Sequence, residues 1–135
     1  MRFFFDNCVS PRIVDALRAL DDRPSAPELV HLRKRFRADD DDPVWLRALG
    51  REKGWVVVSG DPRISRGDVE KKAWHESGLT VFFFGDAWTN RHLYDQASQM
   101  IAVWRDIVRE AKEAVRGSGF LIVAGRKKVR PIYAP

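Results

Sequence analysis

The sequence predicts an α/β protein: a three-layer α/β/α sandwich on a mostly parallel central sheet, formed as a single domain by residues 1–135. Three observations predict it. Short, continuous runs of aromatic and β-branched residues, of the kind that fill strands covered on both faces, alternate along the chain with segments of helical period. An apolar fraction of 44%, with five Trp and eight Phe, supplies a packed core for one domain of this length. No internal repeat or low-complexity linker divides the chain.

Phe3-Phe4-Phe5 is the first buried run, and it ends in Asp6 and a turn. Ser10 caps the helix that follows, with Pro11 at its first position, where a missing N–H costs nothing. Ile13, Val14, Leu17 and Leu20 then recur at helical spacing and face the sheet. Residues 21–27 form a polar, proline-containing loop. Leu29-Val30-His31-Leu32 is a short second strand, with His31 read as a satisfied strand histidine in preference to a ligand or base.

Arg33-Lys34-Arg35-Phe36-Arg37 runs against Asp39-Asp40-Asp41-Asp42. This is either a solvated loop, or a basic arm for phosphates whose last acid is drawn into a site. Asp42-Pro43 has the form of a helix start, with Val44, Trp45, Leu46 and Leu49 on the apolar face and Gly54 as the stop. Asp42 is then the N-cap, and it serves a site as well only if that helix end points there. Trp55-Val56-Val57-Val58-Ser59 is the clearest buried strand, and it ends in Gly60-Asp61-Pro62-Arg63. A modest helix starts at Gly67 or Asp68 and runs to about Ser77, with Val69, Ala73 and Trp74 inward. Leu79-Thr80-Val81-Phe82-Phe83-Phe84 is a further strand, closed by Gly85-Asp86.

The long helix expected at about 89–115 carries Leu93, Ala97, Met100, Trp104, Val108, Ala111 and Val115 at steps of three and four. That stripe is core or subunit interface, and a homodimer through it is expected. Gly117-Ser118-Gly119 breaks the helix and Phe120-Leu121-Ile122-Val123-Ala124 is the last strand. Arg126-Lys127-Lys128-Val129-Arg130 is a basic tail, either frayed into solvent or in contact with RNA.

Composition narrows the classes of function. Cys8 is the only cysteine, which excludes an internal disulfide and a cysteine-rich zinc site. Neither a secretory leader nor a run of the roughly 18 apolar residues that a membrane helix requires is found, so a soluble cytoplasmic protein is expected. The net charge of +5 favours polyanion partners only weakly.

The informative pattern is acidic. In an open parallel sheet, functional side chains gather beyond the carboxyl ends of the strands, where Asp6 and Asp61 stand. If the first and third strands are neighbours, the two converge, with Asp42 approaching from a helix N-terminus. Clustered carboxylates repel one another at neutral pH, and a divalent cation with a taste for hard oxygen ligands, Mg²⁺ or Mn²⁺, neutralises them. Such a metal activates a water for attack on phosphorus, so the implied reaction is phosphodiester hydrolysis. Asn7, Ser59 and Arg63 are the candidate contacts to the substrate phosphate, whereas Lys71 and Lys72 read as surface cations.

Phe3-Phe4-Phe5-Asp6-Asn7 with Ser10-Pro11, then Asp42 before Trp45-Leu46, then Val56-Val57-Val58-Ser59-Gly60-Asp61, resembles the PIN-like nucleases, and among them the ribonuclease toxins of toxin–antitoxin pairs. The resemblance spans about Met1 to Asp86. It implies a metal-dependent endoribonuclease, restrained by an antitoxin, with Asp6, Asp42 and Asp61 as the metal-binding acids. For the family's fourth acid this chain offers Asp86 or Glu70. A phosphotransfer receiver fits less well, because it needs adjacent acids where Asp6-Asn7-Cys8 stands, and Lys127 matches its lysine only loosely. A haloacid-dehalogenase-type phosphatase needs a second Asp where Cys8 stands. The remaining alternative is a catalytically silent RNA- or protein-binding module of the same fold.

Overall fold

Every second residue of a strand turns to the same face, so Phe3-Phe4-Phe5 has to feed two different cores. The computed structural model of the chain, which describes residues 1–85 and 87–135, shows both. Phe3 and Phe5 enter a core with α1 (Pro11–Leu20) and α5 (Leu93–Glu113), whereas Phe4 enters one with α2 (Asp42–Glu52) and α4 (Asp68–Ser77). The strands between these layers are β1 (Arg2–Phe5), β2 (Glu28–His31), β3 (Trp55–Ser59), β4 (Thr80–Phe84), β5 (Gly119–Ile122) and β6 (Val129–Tyr133). A short helix α3 (Arg63–Arg66) precedes α4, and 3₁₀ turns stand at Leu32–Lys34 and Trp88–Asn90.

The sheet order is β2-β1-β3-β4-β5-β6, with the first five strands parallel and β6 antiparallel to β5. The three-layer α/β/α expectation therefore holds. The polyphenyl and polyvaline runs are continuous because α1 and α5 cover one face and α2 and α4 the other. Around Phe4 the packing is aromatic, with Trp45, Phe36 and Trp55 at ring-centroid distances of 5.2, 5.8 and 6.1 Å.

Several expectations change. The basic tail is neither tail nor frayed end: residues 123–128 form a turn and β6 pairs with β5, its Pro131 tolerated because β6 is an edge strand. Asp41, not Asp42, takes the cap position of α2, with extended backbone (φ −66°, ψ 149°) and no side-chain cap bond. Four consecutive Asp residues offer the cap equally, and the one-residue shift frees Asp42. The periodic reading also overreaches at helix ends. Leu20, Val44, Val69 and Val115 are exposed, because an apolar residue in a terminal turn continues the period but lies past the layer on which the helix packs. At the start of α4, fully buried Ile64 of α3 joins the core instead. In α5, Met100 and Trp104 of the stripe are buried, and Leu93, Ala97, Val108 and Ala111 pack partly buried against the same cluster, so the stripe proposed for a dimer is mostly core. Among the described residues no helix is long and apolar enough to cross a membrane.

Phe4→Ala should remove about 3 to 5 kcal/mol from the unfolding free energy, a large share of the 5 to 15 kcal/mol typical of a domain. Urea unfolding at equilibrium measures it, and a loss under about 1 kcal/mol would mean that the aromatic cluster repacks around the gap.

Candidate functional site

The chain leaves β1 for β2 on one side and returns past it to β3 on the other, which makes the β1/β3 boundary the switch in strand order where open sheets form crevices. Register then sets the chemistry. Phe5 pairs with Val58, and Asp6 N–H donates to Val58 O at 3.2 Å, so Asp6 stands beside Ser59 and Gly60. The fully buried Ser59 hydroxyl donates to Asp6 Oδ2 and accepts from Asp61 N–H at 3.0 Å. Cys8 N–H at 3.0 Å and Gly60 N–H at 3.4 Å donate to Asp6 Oδ1. Asp6 is 2% exposed. Burial pushes its pKa up to about 6 despite these three donors, and the charge of Asp61 adds to the rise.

Asp42 reaches the same place from the first turn of α2. Its Oδ1 accepts from Trp45 Nε1 at 3.1 Å, a side chain one turn along the same helix. Its Oδ2 is buried and has no hydrogen-bond partner among the described residues. Burial raises the pKa of Asp42, and the neighbouring carboxylates of Asp61 and Asp6 raise it further. Burial acts in the same direction on Asp61. There it is outweighed by Arg63, whose backbone N–H, Nε and Nη2 donate to the carboxylate at 2.9, 3.1 and 2.7 Å, and Asp61 is held low. The three carboxylates thus act on one another, as the sequence reading expected if β1 and β3 were neighbours.

The other candidates are distributed as follows. Ser59, read as a phosphate contact, is enclosed between Asp6 and Asp61 and positions them instead. Asn7 is exposed at the rim and accepts from Arg33 Nε at 2.8 Å, so the basic arm touches the site's edge. Arg63 leaves 69% of its side chain in solvent while holding Asp61, with its Nη2 3.9 Å from Asp42 Oδ2. Glu70 lines a 220 Å³ cleft with Asp39 to Asp42 and Arg63. Asp86 lies outside the described residues. His31 is structural: Nε2–H donates to Val9 O at 2.6 Å and Nδ1 accepts from Arg33 N–H at 3.1 Å, while burial lowers its pKa and keeps it neutral. Burial and then the neighbouring acids push the Cys8 thiol up to about 12, which removes it as a nucleophile.

Trp88 is the residue that sequence reasoning missed. It stacks on Phe84 with ring centroids 3.5 Å apart and donates from Nε1 to Cys8 O at 3.0 Å. A Cβ on Gly60 would come 2.8 Å from Cys8 Cβ and 3.0 Å from Trp88 Cδ1, so only Gly fits beneath this roof. The available signal was the Ser-Gly-Asp turn itself, whose glycine has a positive role only if something packs on it.

Do these residues suit a divalent cation? Among the described residues no three His, Cys, Asp or Glu side chains stand in a ready metal shell. Arg63 holds Asp61, and internal donors hold Asp6. The donor chemistry nevertheless fits a hard cation, since all three groups are carboxylates, burial and neighbouring charge oppose the ionisation of Asp6 and Asp42, and Asp42 Oδ2 has no hydrogen-bond partner. Asp6, Asp42 and Asp61 are the residues that would hold it.

The family described as a PIN like domain matches residues 1–86, the part of the chain that contains Asp6, Asp42 and Asp61. No curated protein and no solved structure matches the chain.

Asp6 binds its proton more tightly folded than unfolded. Its protonated form therefore contributes stability that is complete below about pH 4 and is lost as the pH rises through about 6, roughly 3 kcal/mol in all for a shift from 3.8 to about 6. In EDTA, the stability of the native sequence relative to Asp6→Asn should fall across that window. A flat difference between the two unfolding free energies would mean that Asp6 is solvated in the folded protein.

Proposed function

Because the chain belongs to the PIN-like domain family, we propose that it is a divalent-cation-dependent endoribonuclease that hydrolyses RNA phosphodiesters at Asp6, Asp42 and Asp61. The observation that carries this reading is the unpartnered Oδ2 of Asp42, buried among three carboxylates at the sheet's switch point. Orphaned buried acceptors are costly, and a cation relieves both the orphan and the repulsion. When bound, Mg²⁺ or Mn²⁺ supplies an activated water and neutralises charge on the phosphate oxygens.

The chain's own residues do the rest. Ser59 and the amides of Cys8 and Gly60 fix the orientation of the Asp6 carboxylate, which lowers the entropy lost on ligation. Trp45 sets the rotamer of Asp42 in the same way. Arg63, mostly exposed and rooted at Asp61, offers a planar fork to a phosphate oxygen at the mouth of the cleft. Trp88 and Gly60 close the β4 side against water. Glu70, one of the two candidates for the fourth acid beside Asp86, lines the cleft with Asp42 and Arg63. In the finer form of the reading the chain is the toxin of a pair, held in check by an antitoxin, as the Ser10-Pro11 and Ser59-Gly60-Asp61 motifs suggest.

One observation favours a silent binding module: Arg63 already neutralises Asp61, and no ready shell of three ligands stands among the described residues. Cleavage decides between them. The purified chain should cut a mixed structured and single-stranded RNA pool in Mg²⁺ or Mn²⁺ and not in EDTA. Asp6→Asn and Asp42→Asn should each lower the rate by at least about 100-fold, since metal charge stabilisation is worth several kcal/mol. Both variants should still melt cooperatively. Absence of cutting under every metal would remove catalysis and leave the binding module.

A further inference from the structure

Arg126, Lys127 and Lys128 occupy the turn between β5 and β6, and buried polar side chains of α5 hold that turn in place. Gln99, 8% exposed, donates from Nε2 to Arg126 O at 3.0 Å and accepts from Gly125 N–H at Oε1 at 2.7 Å. Two helical turns on, Asp106, 9% exposed, accepts from Val129 N–H at 2.7 Å, with Arg109 on its other oxygen. An amide and a carboxylate buried beside Met100, Val103 and Ile107 are tolerated only because each is partnered. A solvated turn requires no such anchors. What they fix is a row of cations.

Arg91, Arg126 and Lys127 line one 330 Å³ cavity, with Asp95 as the only acid in its wall among the described residues. None of the three cations takes part in an ion pair among the described residues. The turn also lies at the carboxyl edge of the sheet, where Asp6 and Asp61 stand. β5 is two strands from β3, about 10 Å at the usual strand spacing. The 3₁₀ turn Trp88–Asn90 bridges the interval: Trp88 contacts Cys8 beside the acids, and Arg91 N–H donates to Trp88 O at 3.1 Å.

We propose that Arg91, Arg126 and Lys127 form a binding site for the backbone phosphates of single-stranded RNA, holding the substrate on the β5 side of the acidic pit, with Gln99 and Asp106 positioning the turn. The identity of the strand as substrate rests on the nuclease reading; the anion chemistry does not. A cationic pocket next to an acidic pit suits a polyanion whose scissile phosphate is shared with a cation and whose neighbouring phosphates need charges of their own. An acidic protein segment is the competing occupant, and the test separates it.

Anisotropy of a short fluorescent single-stranded RNA in EDTA, where nothing is cut, reads binding alone. Combining Arg91→Ala, Arg126→Ala and Lys127→Ala should weaken binding about tenfold or more. It should also lower the slope of log K against log salt by about 2, at roughly 0.7 per phosphate contact on a single strand. Gln99→Met keeps every charge and should still weaken binding, with a cooperative melt showing that the fold persists. The proposal is overturned if the native sequence does not bind the RNA, if the triple variant keeps its affinity and slope, if Gln99→Met binds as the native sequence does, or if polyglutamate displaces the RNA at equal charge concentration. Binding that depends on the three cations, without metal-dependent cleavage, would instead sink the nuclease reading and leave the phosphate site standing.

Discussion

The pairing of β1 with β3 is the constraint on which the rest depends. With Phe5 opposite Val58, the next residues of the two strands, Asp6 and Ser59, meet side chain to side chain, and the serine hydroxyl joins Asp6 to the backbone of Asp61. A slip of one residue would exchange the faces of Phe3, Phe4 and Phe5 between two cores and send Asp6 away from Ser59. Packing and site are therefore specified by the same register. The aromatic runs that bury themselves against both helical layers hold the acids where their repulsion has to be met.

That repulsion contrasts with the protein as a whole, which carries a net charge of +5. Acids concentrate at the middle of one sheet edge, and cations flank them. Arg33 reaches Asn7 from beyond β2, and Arg91, Arg126 and Lys127 gather beyond β4 and β5. On the proposed reading the pit of carboxylates would take a small cation and the basic flanks a polyanion, so one edge offers complementary charge to both. Arg63 is the exception within the pit. It neutralises Asp61 and leaves Asp42 without an ionic partner nearer than 3.9 Å.

Much of this was legible in the sequence because burial on two faces leaves a plain signature. The five parallel strands follow from unbroken apolar runs, and the positions of Asp6 and Asp61 follow from turns placed after two of them. Other features turned on contacts that no local pattern encodes. The cap of α2 was ambiguous because four consecutive Asp residues satisfy the same rule, and only the fold selects Asp41. β6 is an edge strand with polar residues and a proline, so it carries no hydrophobic run; its pairing with β5 and the anchoring by Gln99 and Asp106 are long-range. Trp88 reads as one more apolar residue near a helix start until Gly60 and Cys8 are seen beneath it. Ser59 was expected to contact a substrate phosphate, and its enclosure between Asp6 and Asp61 became visible only with β1 alongside.

The central claim is that the three carboxylates bind a divalent cation together. Titration with Mn²⁺ followed by electron paramagnetic resonance tests it without reference to turnover, since free and bound ion are counted directly. The account predicts saturable binding to the native sequence that is lost or greatly weakened in Asp6→Asn, Asp42→Asn and Asp61→Asn alike, each variant remaining folded. Binding that is absent from the native sequence, or unchanged when any one of the three is altered, would contradict it.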